Sequence, residues 1–216
     1  MTEQAGPTER YPVRARVEHF SGPMFRVVTD RVEMPDGHLA NRDYIIHIGA
    51  VGVVAIDDEG RVVLVRQYRH PVGRYLWELP AGLIDVAGEA LERAAVRELE
   101  EEADLTADRL DLLLDMHPSP GCSNEVIRLF LARDLTPVGP ERRHQRRDEE
   151  ADMTVSRIHL DEAVAMALRG EITNGACLAG VLAAARVCES GWPAPAPRPI
   201  DTPLPRDEPA SATRRR

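Results

Sequence analysis

Along the first third of the chain, apolar and polar positions alternate with the period of two that marks β-strands. Segments 24–34 (MFRVVTDRVEM), 43–48, 51–57 (VGVVAID) and 61–69 (RVVLVRQYR) are rich in valine and isoleucine, and Asp58-Glu59-Gly60 supplies a turn between the last two. A further strand, 76–84, runs into a loop with glycine and aspartate. The period then changes: Leu91, Ala95 and Leu99 fall at i, i+4 and i+8, which predicts a helix over 89–103. Strands at 109–117 and 126–133 follow, joined by the turn-rich stretch from Pro118 to Gly121. A polar loop occupies 139–150. After it the pattern predicts a short strand near 153–159 and helices near 161–169 and 173–189. Hairpins mixed with helices, and no regular βαβ repeat, define the class as α+β with a mixed sheet.

The end of the chain differs in kind. From Pro193 to Arg216, seven of 24 residues are proline and almost none can build a core. Residues 192–216 are therefore expected to be a disordered tail outside the site. Residues 1–48 are expected to form an N-terminal unit of strands, and 49–191 the main domain.

Charge and cysteine usage narrow the function. The 27 Lys+Arg against 36 Asp+Glu leave a formal charge of −9, which disfavours nucleic acid as a partner. Cys122, Cys177 and Cys188 are an odd set without metal-ligand spacing, so neither a disulfide framework nor a zinc ribbon is expected. The polar start MTEQAGPTER lacks a signal core, and the longest apolar run, Ala176 to Ala185, is too short for a membrane span. The expectation is a cytoplasmic protein with no membrane partner.

The chemistry concentrates between Gly82 and Leu105. The helix carries Glu98, Glu100, Glu101 and Glu102, with Asp104 just beyond. Glu98 lies i+3 from Glu101 and i+4 from Glu102, so three carboxylates share one flank and repel. They also crowd the helix end where the macrodipole is already negative. An exposed acidic face screened by salt is one reading. The other is a hard divalent cation among these oxygens, magnesium fitting best because it needs few protein carboxylates. Two features favour the cation: the glycine-containing loop 81–88 can turn carbonyls inward, and Arg97, i−4 from Glu101, can orient that carboxylate.

These residues resemble the Nudix box, in which glycine, five residues, glutamate and seven residues precede Arg-Glu-aliphatic-x-Glu-Glu-x-Gly-aliphatic. The chain supplies Gly82, Glu89, Arg97, Glu98, Leu99, Glu101, Glu102 and Leu105. It departs twice: six residues separate Gly82 from Glu89, and Asp104 stands where the last glycine would be. Aspartate is among the few residues that readily take the left-handed conformation a helix end needs. LWELPAG (76–82), RQYRH (66–70), PSPGCSNE (118–125) and EEADM (149–153) are similar to the ADP-ribose pyrophosphatase branch, and the resemblance covers roughly residues 15–190.

The resemblance implies a Nudix fold, a mixed sheet packed between helices, preceded by a small N-terminal antiparallel sheet. It implies Mg²⁺, with Mn²⁺ as substitute, on Glu98, Glu101, Glu102 and the carbonyl of Ala81. Glu150, with Glu149 as the near alternative, would serve as the base on a loop after the box. Arg42, Arg69 and Glu78 are the candidate substrate-binding residues, Arg42 reaching the substrate from a partner subunit. Glu78 is also open to a structural role. A homodimer with exchanged N-terminal strands is expected. The implied reaction is hydrolysis of ADP-ribose to AMP and ribose 5-phosphate. Another nucleoside diphosphate sugar such as GDP-mannose is the alternative substrate, and a catalytically silent nucleotide-sensing module the alternative class.

Overall fold

The computed structural model describes residues 11–145, 152–191 and 198–205. Three sheets organise the chain. Strands β1 (Val13–Ser21), β2 (Phe25–Glu33) and β3 (Leu39–His47) form an antiparallel N-terminal sheet in the order β1-β2-β3. Strands β5 (Arg61–Arg69) and β6 (Arg74–Glu78) pair antiparallel, and β10 (Thr154–His159) joins β5 on its other edge. The third sheet orders β7 (Ala81–Leu83), β4 (Ala50–Ala55), β9 (Ile127–Pro137) and β8 (Leu105–Met116), with β4 and β9 parallel and the other pairs antiparallel. The helices are α1 (Leu91–Ala103), α2 (Leu160–Leu168) and α3 (Gly175–Glu189).

Alternation along the central strands decides which helices cover which face. Val51, Val53 and Ala55 of β4 and Phe130 and Ala132 of β9 pack with Ala94, Ala95, Leu99 and Ala103 of α1. Their neighbours Val54, Leu129 and Leu131 point the other way, against α2 and α3. The result is the expected mixed sheet between helices. Both faces are apolar because both are covered. The apolar run at 176–185 buries one face, through Cys177, Val181 and Ala184, and leaves Leu182 exposed; among the described residues no helix is long and apolar enough to cross a membrane.

Three local differences from the sequence reading have physical causes. Strand β1 is exposed along all nine residues, so no buried stripe announces it. It is held by backbone pairing and by ion pairs to β2, among them Arg16 Nε to Asp30 Oδ1 at 2.7 Å. The single strand expected over 76–84 is two, β6 and β7, because the chain changes sheets at Leu79-Pro80. The carbonyl of Pro80 accepts from Val53 at 2.9 Å, which ties the crossing to β4.

The third difference concerns the tail. Residues 198–205, within the stretch expected to be disordered, are fixed to the β8–β9 hairpin. Arg128 is 1% exposed, pairs with Asp115 through Nε at 2.7 Å, and donates to the carbonyls of Thr202 (2.5 Å) and Pro203 (3.3 Å). Arg198 adds a contact to Asp115 at 2.8 Å, and Ile200 packs on the cluster beneath α1. Prolines lack an N–H but keep the carbonyl, so a proline-rich segment still serves as an acceptor strip for a buried guanidinium.

The 118–125 loop joins the N-terminal sheet to the body. Ile45 donates to the carbonyl of Cys122 at 2.8 Å, Asn124 donates back to Ile45 at 3.1 Å, and His47 N–H reaches Asn124 Oδ1 at 2.8 Å.

Candidate active site

Strand β7 is short, but its position is fixed: Gly52 pairs with Ala81, and Val51 with Gly82. Its backbone faces the flank of α1 one step round from the buried Ala95 and Leu99. Glu98 and Glu102 therefore project towards β7 and are 8% and 5% exposed. The N–H of Ala81 donates to Glu102 Oε2 at 2.9 Å. At Gly82 the carboxylate of Glu98 lies against the Cα, where any Cβ would coincide with it. The box glycine thus leaves room for the carboxylate to pack against the backbone in this position. At the other end of α1, Asp104 closes the helix with φ 55° and ψ 36°, the left-handed conformation expected of it.

Arg97 is the hub of the carboxylates. Its Nη1 lies 2.5 Å from Glu98 Oε1 and 3.4 Å from Glu101 Oε2, while Nε and Nη2 reach Glu89 at 3.3 and 3.2 Å. Burial pushes the Glu98 carboxyl above its ordinary pKa, and the charge of Glu101 adds to this; Arg97 opposes both. Arg97 is itself held more firmly protonated, chiefly by its bond to Glu89. Among the described residues no three Asp, Glu, His or Cys side chains converge closely enough to enclose an ion by themselves. The donor set nevertheless fits a hard divalent cation. It is all oxygen, it is partly desolvated, and Glu98 lacks enough positive charge to ionise at its ordinary pKa.

These groups line a cleft of about 1090 Å³, which contains Ala81, Glu98, Glu101, Glu102 and Arg69 together. Glu78 is not on its surface. It is 3% exposed beneath Arg69 and grips that guanidinium at both ends, Nε to Oε1 at 2.9 Å and Nη2 to Oε2 at 2.7 Å. Of its two expected roles, the geometry matches orientation of Arg69. Arg42 lies apart on exposed β3, donating to the carbonyl of Asn41 at 2.9 Å, and does not line this cleft. Glu149 and Glu150 lie outside the described residues. Asp152, two residues beyond, accepts a hydrogen bond from the hydroxyl of Tyr75. The sequence reading also passed over Asp85 and Arg142 to Gln145, which line the same cleft. The signal for the latter was the basic run RRHQRR (142–147), read only as a polar loop.

Comparison with known proteins identifies the family. The family model described as the NUDIX domain matches residues 47–176. The ADP-ribose pyrophosphatase of Mycobacterium tuberculosis is 47% identical over 183 residues, spanning 84% of this chain and 85% of the relative. The ADP-ribose pyrophosphatase of Bacillus subtilis is 35% identical over 158 residues, spanning 73% and 83%. A solved structure described as an ADP compounds hydrolase superposes with a TM-score of 0.70 at 21% identity, covering 87% of this chain and 99% of its own, a likeness of fold. Nudix hydrolases use divalent metal ions, in keeping with the oxygen donors on α1. By the match over residues 47–176 and the identity across most of its length, the chain belongs to the Nudix family of hydrolases.

Proposed function

We propose that the protein hydrolyses the diphosphate bond of ADP-ribose, giving AMP and ribose 5-phosphate. The observation that carries this reading is the pair of buried carboxylates, Glu98 and Glu102, packed on the backbone of Gly82 and Ala81 inside one cleft with Arg69. The two relatives named ADP-ribose pyrophosphatase supply the substrate class. Glu98, Glu101, Glu102 and the Ala81 carbonyl would hold Mg²⁺, with Mn²⁺ as substitute. When bound, such ions neutralise phosphate charge, polarise phosphorus and acidify water.

The chain's own groups do the rest. Glu78 holds Arg69 in one orientation, so a phosphate contact there does not first have to order the side chain. Arg97 fixes Glu98 and Glu101 in place. Glu150, or Glu149 beside it, accepts the proton of the attacking water. Arg42 would act from the partner of a homodimer, the exposed Val13, Val17 and Phe20 of β1 giving that partner an apolar surface to cover. The cytoplasm is the proposed location, consistent with three cysteines that form no disulfide.

The test is AMP release from ADP-ribose with Mg²⁺, alongside GDP-mannose, NADH and diadenosine polyphosphates. Glu102→Gln should abolish most turnover. A wild-type rate no faster than this variant's would leave only a nucleotide-sensing module. Preference for GDP-mannose would move the substrate within the same chemistry. Glu150→Gln should cut turnover and spare metal binding; if Glu149→Gln does so instead, that residue is the base.

A further inference from the structure

The turn after β9 is tied to the helix end that bears the carboxylates. Val138 donates its N–H to the carbonyl of Asp104 at 2.9 Å, and Arg142 Nη2 lies 3.3 Å from each carboxylate oxygen of Glu100. A single 3-10 turn, Pro140–Arg142, closes with Arg142 N–H on the carbonyl of Gly139 at 2.9 Å. It hands the chain to Arg143 in extended backbone, φ −64° and ψ 135°, and Arg143 lines the cleft.

The other arginines of this cleft are already matched by carboxylates: Arg69 by Glu78, Arg97 by Glu89, Glu98 and Glu101, and Arg142 by Glu100. Arg143 differs. It makes no hydrogen bond or ion pair among the described residues, although five carboxylates line the same cleft. The cleft therefore sets the α1 carboxylates, gathered around Arg97, opposite a guanidinium after β9 that has no carboxylate partner among the described residues. A cation-bound diphosphate satisfies both at once. Its metal side meets the carboxylates, and its non-bridging oxygens still accept from a planar fork of N–H donors.

We infer that Arg143 is a substrate-binding residue, donating to a non-bridging oxygen of the diphosphate. This rests on the diphosphate reading above and adds a phosphate contact to it. Among the described residues no ion pair of Arg143 has to break when the phosphate arrives, which leaves its guanidinium donors for the ligand. The short turn and its two ties to α1 keep the contact in register with the metal-binding carboxylates.

The experiment compares wild type, Arg143→Ala and Arg143→Lys for ADP-ribose hydrolysis, Mn²⁺ affinity and melting temperature. It also titrates the α,β-methylene analogue of ADP-ribose, which needs no turnover. A lost charge-assisted hydrogen bond should raise KM and the analogue's Kd roughly tenfold in Arg143→Ala. Lysine should recover part of this, and kcat should change less than KM. Mn²⁺ affinity and melting temperature should stay at wild-type values. KM and Kd within about twofold of wild type, or a loss that tracks weakened Mn²⁺ binding or stability, overturns the inference. An inert wild type that binds the analogue would refute the hydrolysis reading and leave Arg143 to be judged from Kd alone.

Discussion

Replacing Gly82 with alanine separates the proposed metal site from the fold. A Cβ at this position would coincide with the carboxylate of Glu98, whose atoms are its three nearest neighbours. The obstructing group is the far end of a flexible side chain, so it can rotate away and the backbone need not move. Gly82 does not occupy the left-handed region, so alanine fits β7, and removing a glycine should stabilise by about 0.4–1 kcal/mol through the unfolded chain. Expelling Glu98 also relieves the burial that pushes its pKa up. Stability in urea should therefore stay within about 1 kcal/mol of wild type. The carboxylate, however, is displaced by the width of a methyl group. Misplacement of a catalytic group by about 1 Å can lower turnover ~100-fold. The assays are urea denaturation and AMP release over a Mg²⁺ titration, whose midpoint should move upward. Activity within about threefold of wild type would mean the packing of Glu98 on Gly82 does not matter to catalysis. A stability loss above about 3 kcal/mol would mean the carboxylate cannot yield, and the account of this contact is wrong.

Two predictions concern the anchored tail. Removing one member of a buried ion pair costs about 3–5 kcal/mol when the other is left alone. Arg198 stays on Asp115 at 2.8 Å, so Arg128→Met should cost less, about 2–3 kcal/mol in urea, with faster amide exchange across 198–205. A change under about 0.5 kcal/mol with unaltered exchange would refute the anchor. Acid should release the same contact. Burial raises the Asp115 carboxyl, but Arg128 and Arg198 outweigh it and hold the group below its ordinary value. A depressed carboxyl contributes stability above its unfolded pKa and loses it as pH falls through the folded value. The stability difference between wild type and Asp115→Asn should accordingly hold from neutrality down to about pH 4 and shrink below it. A difference that stays flat through that range would mean Asp115 carries no such linkage.

The candidate site was legible in the sequence where it depends on local spacing. Glu98, Glu101 and Glu102 lie within five residues on one helix, so their shared flank follows from the helical period. Asp104 ended the helix as its residue type allows. The parts that escaped are those joined across large separations. Glu78 sits under Arg69 because β5 and β6 are a hairpin, and nothing in the spacing distinguishes that from a direct substrate contact. Arg143 reaches the cleft only because the turn after β9 folds back on the C-terminal end of α1.

Order along the chain and hydrophobic period determined the α+β class, the helices and the acidic cluster, since these need only neighbours a few residues apart. The tertiary structure alone decided that β1 exists without a buried stripe, that the chain switches sheets at Pro80, and that a proline-rich segment binds to Arg128. Contacts distant in the chain hold them, such as Asp30 on Arg16, 14 residues away, or Thr202 on Arg128, 74 residues away. A local pattern carries no signal for such contacts, because the free energy that selects them is gained only after the rest of the chain has folded.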